Sequence, residues 1–502
     1  MTSAFRRALF LSVALLLPFA PTPAQKLAKR LDARLDAPGL DRLLWGVSVT
    51  ELDGRVLYSR NGDRLFVPAS NTKILVSVAA TALLGPNFAV KTSLYGTGPI
   101  TDSVLRGDLV LYGRGDPTFS RRCYQADTLA AGACDTDPAI RLHDLALQLR
   151  ARGVRVVAGD LIGDGSYFEE TLVHPNWQGY DLGWWYAAPV SGLGFNDNSL
   201  DVHETAADSV GFAPRVTFVP DLGLATFENR AVTGARNARR TFDVVRSPDG
   251  DHFLSSGVLP LGTTDRQEFA AIADPNRFAA LALRRELNAA GISVRGATRS
   301  TVDSLAYPAA RTGVALAEVS SRPLREWVFP ILNSSQNWFA EMLLKQLGRQ
   351  FGTAGSWAEG RAVERRFMID SVHADSTQFV VEDGSGLASN NLVSPHTFTM
   401  LLGYIHKHAN FPMFDAGLPV GGKAGTLKNR FGNTPIEGKV HAKTGTISRT
   451  ATISGFVERP DGRTLVFSVM ANHNNLAATR ILAAIDSVVV EIGRPDKAAK
   501  KK

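Results

Sequence analysis

The chain changes texture twice, and this break constrains its architecture more than any single motif does. Gln25 to Asp36 has a helical pattern. Trp45 to Val67 reads as a hairpin: Val47, Val49 and Leu52 precede the Asp53-Gly54 turn, and Val56, Leu57 and Tyr58 follow it. Pro68-Ala69-Ser70-Asn71-Thr72-Lys73 leads into an apolar helix, ILVSVAATALLG, that stops near Gly85. From about Lys91 to Thr312, short β-branched runs such as GDLVLYGRGDP and RVVAGDLIGDGSYF alternate with Gly, Asp and Pro turns. That stretch predicts one or two β-rich modules, closed by a helix over Arg277–Gly291. Near Val314 helical texture returns, with helices expected over Leu324–Leu332 and Trp338–Gly348 on either side of NSSQN. Val440 to Phe456 and Thr464 to Asn472 read as antiparallel strands joined at Pro460-Asp461-Gly462, and Leu476 to Ile492 as a closing helix. At 502 residues, two to four domains are expected.

The ends carry most of the net charge. Arg6, Arg7, Lys497, Lys500, Lys501 and Lys502 supply six units of the formal +7, so the body of the chain is close to neutral. A nucleic-acid binder needs a basic face, and this body has no surplus to build one. Arg6-Arg7 followed by the 13 apolar residues Ala8–Ala20 and the small residues Pro21–Ala24 reads as a secretory signal, 1–24, cut after Ala24. Thirteen residues is short for a membrane span of about 20, so no stable span is expected after processing. In an exported chain, Cys123 and Cys134 are expected to pair, closing a small ring. No His or Cys cluster has metal-ligand spacing, and no metal or organic cofactor is implied. The Lys-rich end, 494–502, reads as a solvated tail.

Three short motifs carry chemistry: Ser70-Asn71-Thr72-Lys73, Ser335-Gln336-Asn337 and Lys443-Thr444-Gly445, the last followed by Thr446. Residues three apart on a helix share a face, so Lys73 can reach the Ser70 hydroxyl. A serine is a poor nucleophile until a base takes its proton. Lysine is such a base only if its pKa falls from about 10.4 toward about 7–8. Burial and a second ammonium, here Lys443, do this. Ser335 can relay a proton to a leaving amine, and Asn337 can hold Lys73 or a substrate amide. Lys443, Thr444 and Thr446 suit a substrate carboxylate, and Gly445 lets a ligand lie close to the strand. The backbone N–H groups of Ser70 and Thr446 are the natural oxyanion hole. Taken singly, Ser70 would be a helix cap and Lys443 a surface lysine. Their order and placement together favour chemistry.

Here the sequence resembles the low-molecular-mass class C penicillin-binding proteins, the D-alanyl-D-alanine carboxypeptidase/endopeptidase family. The resemblance extends through GDLVLYGRGDPTF (Gly107–Phe119), GDLIGDGSYF (Gly159–Phe168), YAAPVSGLGFNDN (Tyr186–Asn198), NSSQNWFAEMLLKQLG (Asn333–Gly348), EDGSGLASNNLVSP (Glu382–Pro395), LPVGGKAGTLKNRF (Leu418–Phe431) and HAKTGTI (His441–Ile447). The 265 residues between Ser70 and Ser335 match the family's large insertion. The resemblance implies an α/β fold: a transpeptidase-like domain of the penicillin-binding-protein/β-lactamase type, an antiparallel sheet flanked by helices. It would be split into 25–90 and 313–493, with a β-rich region, 91–312, of two domains inserted after the S-x-x-K helix. It implies a periplasmic serine D,D-peptidase that cleaves peptidoglycan stem peptides through acyl-Ser70, with β-lactams as covalent inhibitors. The sequence departs from the pattern in two places. Gln336 stands where Asp or Asn is more familiar, and Lys423-Ala424 where an acidic residue is expected.

Two other functions fit less well. One is a β-lactamase or esterase on the same fold: a class A β-lactamase would need a Glu-x-x-Leu-Asn motif, for which Arg285-Glu286-Leu287-Asn288 has the wrong spacing, and the absence of a G-x-S-x-G elbow disfavours an α/β-hydrolase. A peptidoglycan-binding protein without chemistry would not need Ser70, Lys73, Ser335, Asn337 and Lys443 together. Trp177, Trp184 and Trp185 could stack on a sugar, but are expected as local core. Asp116, Asp164, Asp197 and Asn198 are expected to serve turns and inter-domain hydrogen bonds, and His441 to pack or hydrogen-bond on its strand.

Overall fold

The computed structural model describes residues 22–120, 137–308 and 312–495. Residues 1–21 of the expected signal, both cysteines, and all but the first two residues of the tail lie outside these. The expected cut after Ala24 falls in the first turn of the helix Pro23–Leu35, where Thr22 and Gln25 cap each other reciprocally.

A five-stranded antiparallel sheet draws on both ends of the chain, in the spatial order Val56–Arg60, Leu44–Glu51, Thr464–Asn472, Thr450–Glu458, Val440–Ile447. Helices Pro23–Leu35 and Ala478–Gly493 cover one face, packing Leu27, Leu31, Ile485 and Val489 with Trp45, Val47 and Val469. A second helical layer covers the other face. At its centre lies Thr72–Leu83, buried on every side from Thr72 to Thr81, which is why its sequence is apolar all round. Leu324–Asn333, Asn337–Phe351, Trp357–Asp370 and Pro395–His406 surround it. The sheet face beneath this layer carries a buried stripe of hydroxyls. Some of these pair with each other (Ser454 Oγ to Ser468 Oγ, 2.8 Å) and some with the helices (Ser48 to Thr399, 3.0 Å).

The run read as one strand, Val440–Phe456, is a hairpin that turns at Ser448-Arg449 between Val440–Ile447 and Thr450–Glu458. Arg449 takes φ +58°, a conformation usually signalled by Gly or Asn, so no residue type marks this turn.

The middle of the chain forms a separate set of sheets. Thr298–Thr301, Leu161–Asp164 and Leu109–Tyr112 run parallel, followed by Lys91–Gly96 and Ala317–Ser320. The last strand lies past the boundary expected at Thr312. Helices Ile140–Ala151 and Pro275–Ala289 pack on these strands. Nested inside is a β layer in which Ser199–Thr205 sits between Arg215–Val219 and Arg266–Ala271, with Val202, Phe218 and Phe253 in its core.

Candidate active site

Ser70 lies in the single 3-10 turn Ala69–Asn71 that enters the buried helix, and Ala69 holds φ +49° to make the turn. The turn rests on the edge strand Val440–Ile447. A Cβ at Gly445 would come 2.7 Å from the Pro68 carbonyl and 2.9 Å from the Ser70 nitrogen. Gly445 thus lets the protein's own serine turn approach the strand, where the sequence suggested room for a ligand. Asn71, with its amide turned to suit its neighbours, donates to the Lys443 carbonyl (2.9 Å) and accepts from Ser454 Oγ (2.7 Å). The serine turn and the K-T-G strand are therefore one rigid piece.

Lys73 has no exposed surface. Its Nζ lies 2.9 Å from Ser70 Oγ, 2.7 Å from Asn337 Oδ1 and 2.7 Å from the Ser385 carbonyl. Two of those partners are pure acceptors, while the hydroxyl can donate or accept. A neutral amine has two N–H groups and one lone pair. The N–H groups satisfy Asn337 and Ser385, and the lone pair is left facing the Ser70 hydroxyl. Burial pulls the Lys73 pKa down to about 7, against the opposing pull of Asp383 and Glu341.

Lys443 is equally buried; its Nζ donates to Ser335 Oγ (2.9 Å) and to the Thr444 carbonyl (2.7 Å). Burial, and then the charge on Lys73, hold it well below the ordinary lysine value. Burial is the main cause of both shifts, and the Asp383 and Glu341 carboxyls behind Lys73 oppose it there. The pair resists holding two protons unless an anion joins Lys443.

Ser335 sits between two helices at φ +63°, a strained position for a residue with a Cβ. The Asn337 amide spans two regions: Oδ1 accepts from Lys73, and Nδ2 donates to the Tyr186 carbonyl of the inserted region (2.7 Å). Gln336 explains itself here. Its Nε2 donates to Asp197 Oδ2 at 2.9 Å and its Oε1 accepts from the Trp338 N–H at 3.3 Å; Asp197 belongs to a loop in which Asn196, Asp197 and Asn198 all have positive φ. Asp197 is thus an inter-domain hydrogen bonder, as expected, and the usual aspartate at position 336 would have met a carboxylate.

Ser70, Ser335, Asn337 and Thr446 line one cavity of about 470 Å³, with Asp181, Trp185 and Tyr186 of the inserted region on its wall. Thr444 lies beside it, its hydroxyl 2.8 Å from that of Thr426. That contact gives the Leu418–Phe431 loop a role in supporting the strand; Lys423 pairs instead with Glu437 (2.6 Å). His441 bonds Asp415 (2.9 Å), as expected of a strand residue.

Sequence reasoning missed the second layer. Glu341 accepts from the Gly384 (2.9 Å) and Ser385 (2.7 Å) N–H groups and from the Trp357 indole (2.8 Å), so it fixes the two peptides that lead up to the Ser385 carbonyl that meets Lys73. Burial lifts its pKa to about 7. Asp383 accepts from the Gly386 (2.8 Å) and Ala388 (2.7 Å) N–H groups and from the Trp177 indole (2.9 Å). The signals were the blocks Asn333–Gly348, which holds Glu341, and Glu382–Pro395, which holds Asp383; neither singles out the carboxylate within it.

Comparison with known proteins supplies the family and the fold. The model of the D-Ala-D-Ala carboxypeptidase 3 (S13) family matches residues 27–491. A D-alanyl-D-alanine carboxypeptidase of Actinomadura sp. (strain R39) is 32% identical over 486 residues, covering 93% of this chain and 84% of the relative. The D-alanyl-D-alanine carboxypeptidase DacB of Haemophilus influenzae is 23% identical over 425 residues, 83% of each chain. The crystal structure of penicillin binding protein 4 (dacB) from Haemophilus influenzae shares the fold, with a TM-score of 0.78 at 21% identity over 95% of this chain and 100% of that one. With a family match running from the first helix to the last, and a relative sharing a third of its residues along nearly its whole length, the chain belongs to the D-Ala-D-Ala carboxypeptidase 3 (S13) family, serine-type D-Ala-D-Ala carboxypeptidases.

Proposed function

We propose that Ser70 is the acylated nucleophile and neutral Lys73 the base that activates it, on D-Ala-D-Ala termini of peptidoglycan stem peptides. One observation supports this above all: a fully buried amine whose two N–H groups are taken by acceptors, with its remaining position 2.9 Å from Ser70 Oγ. Ser70 Oγ attacks the carbonyl carbon as Lys73 takes its proton. The oxyanion forms between the backbone N–H groups of Ser70 and Thr446. The C–N bond breaks as Lys73 returns its proton to the departing D-Ala amine by way of Ser335, whose hydroxyl gives one proton and takes up another, and water later cleaves the acyl-Ser70 ester. Asn337 positions Lys73. Lys443 anchors the substrate carboxylate with Thr444 and Thr446, and Gly445 lets the strand meet the serine turn. Binding of that carboxylate restores the charge on Lys443, and the restored charge holds Lys73 neutral.

β-Lactams acylate the same serine; one solved relative, penicillin binding protein 4 of Haemophilus influenzae, is complexed with a β-lactam. The peptidoglycan substrate and the basic leader support the reading of an exported, periplasmic protein. Among the described residues no helix is long and apolar enough to cross a membrane. The split domain, 25–90 and the chain beyond the strand Ala317–Ser320 to 493, supplies the chemistry, and the inserted region supplies one wall of the cavity.

The test is release of D-Ala from a D-Ala-D-Ala peptide by the wild type and by Ser70→Ala. Loss of release in a folded Ser70→Ala protein is expected. Retained hydrolysis would overturn the mechanism.

A further inference from the structure

The structure separates the three tryptophans of the inserted region. Trp177 is buried, its indole bonded to Asp383 and its ring edge-on to Trp357 at 5.9 Å. Trp184 and Trp185 are not core. They line a second groove of about 420 Å³ with Tyr180, Gln267, Glu268 and Phe269. Tyr180 is 71% exposed, unusual for a large ring with no structural task.

This groove adjoins the cavity that holds Ser70: Trp185 and Tyr186 line both. Its floor is firm. Trp185 packs edge-on against Phe269 (6.4 Å, 79°), Trp184 bridges to Ala270, and Arg246 Nη2 donates to the Leu182 carbonyl at 2.9 Å. The groove offers little net charge, because Arg240, which bonds both Glu268 and Glu204 (3.0 Å), and Arg266, 3.7 Å from Glu268, balance the two carboxylates.

We propose that this groove is a glycan subsite, taking an N-acetylated sugar of the strand that carries the stem peptide being cut. The inference rests on reading Ser70 as a peptidoglycan peptidase. Its chemistry follows from the lining. Pyranose rings present flat C–H faces that pack on aromatic rings, and their hydroxyl and acetamide groups suit the Gln267 amide. A stem peptide carries carboxylates and would call for unpaired cations, which this lining does not offer. The reach is short, since a few extended residues span on the order of 10 Å.

Two variants, Tyr180→Ala and Trp184→Ala, test the groove in the full chain. The probes are chitotetraose, a peptide-free oligomer of N-acetylglucosamine, and two D-Ala-D-Ala substrates, one soluble and one attached to glycan. Chitotetraose is expected to change wild-type tryptophan fluorescence saturably, and to bind each variant at least fivefold more weakly. On the soluble peptide both variants are expected to stay within twofold of wild-type kcat/KM, while KM for the glycan-attached substrate rises at least fivefold. Absence of chitotetraose binding to the wild type overturns the proposal. So does an equal loss on both substrates, or a loss confined to glycan-free cross-linked peptides, which would make the occupant a second peptide. A wild type that releases no D-Ala from either substrate refutes the peptidase reading, while the chitotetraose measurement still decides the groove.

Discussion

Lys73 and Lys345 make an instructive pair. Both are helix residues with no exposed surface, and burial lowers both, to about 7 and about 8. Their neighbours differ. Lys345 faces the inserted region: it donates to the Thr171 carbonyl (2.9 Å) and the Val190 carbonyl (3.2 Å), pairs with Glu169 (3.2 Å) and lies 3.5 Å over the Trp357 ring. Every direction around that amine is an acceptor, a carboxylate or a π-face, so it acts as a tie between regions. Lys73 instead meets two acceptors and one hydroxyl. Burial makes an unusual amine in both places, and only a neighbour with a proton to give turns one of them into a base.

The largest effect that would break this contrast is at Lys73. Lys73→Met is expected to lower the acylation rate by about 10³- to 10⁴-fold, read by stopped-flow β-lactam labelling. In the wild type the same rate should rise with pH through about 7 and then level, because Lys73 is the base only when unprotonated and its pKa is about 7. A flat profile from acid to alkaline pH would remove Lys73 from that role. Next comes Gly445→Ala, whose methyl would push the strand off the Ser70 turn; a loss of about 10² in kcat/KM on a D-Ala-D-Ala peptide is expected from that displacement.

Gln336 lies between the two extremes, joining the site to the inserted region. Gln336→Glu would set a carboxylate against Asp197, both buried, and about a tenfold loss of kcat/KM is expected, partly recovered at acid pH as the new carboxyl protonates. A steady-state pH series reads it, and an unchanged rate would show the contact to be idle. The smallest effect is at Lys345. Lys345→Met should lower the thermal midpoint while leaving kcat/KM within about threefold, because no reacting atom touches it. A large kinetic loss there would erase the difference between the two lysines.

Much of the site was legible because motif chemistry fixes residue types at short spacing. Ser70 and Lys73 are one helical turn apart, so any helix brings them together. Ser335, Asn337 and Lys443 required the fold, and the resemblance supplied it. Three things stayed hidden. The Ser448-Arg449 turn has no glycine to announce it. The Tyr186 and Ser385 carbonyls act through backbone atoms, to which side-chain patterns are blind. The helix Ile140–Ala151 has the spacing of a packed face, with Leu142, Leu145, Ala146 and Leu149 buried, yet it stands inside a stretch whose turns read as strands throughout. The aromatic residues near position 180 were misjudged for a related reason. Composition cannot tell a ring that fills a core, like Trp177, from one that lines a groove, like Trp184.

The most direct measurement is intact-mass spectrometry of the purified protein after exposure to penicillin, followed by digestion to locate the adduct. A single added mass on the peptide holding Ser70, absent from Ser70→Ala and strongly slowed in Lys73→Met, is the predicted result. An adduct on any other residue, or one that survives in Ser70→Ala, would contradict the account.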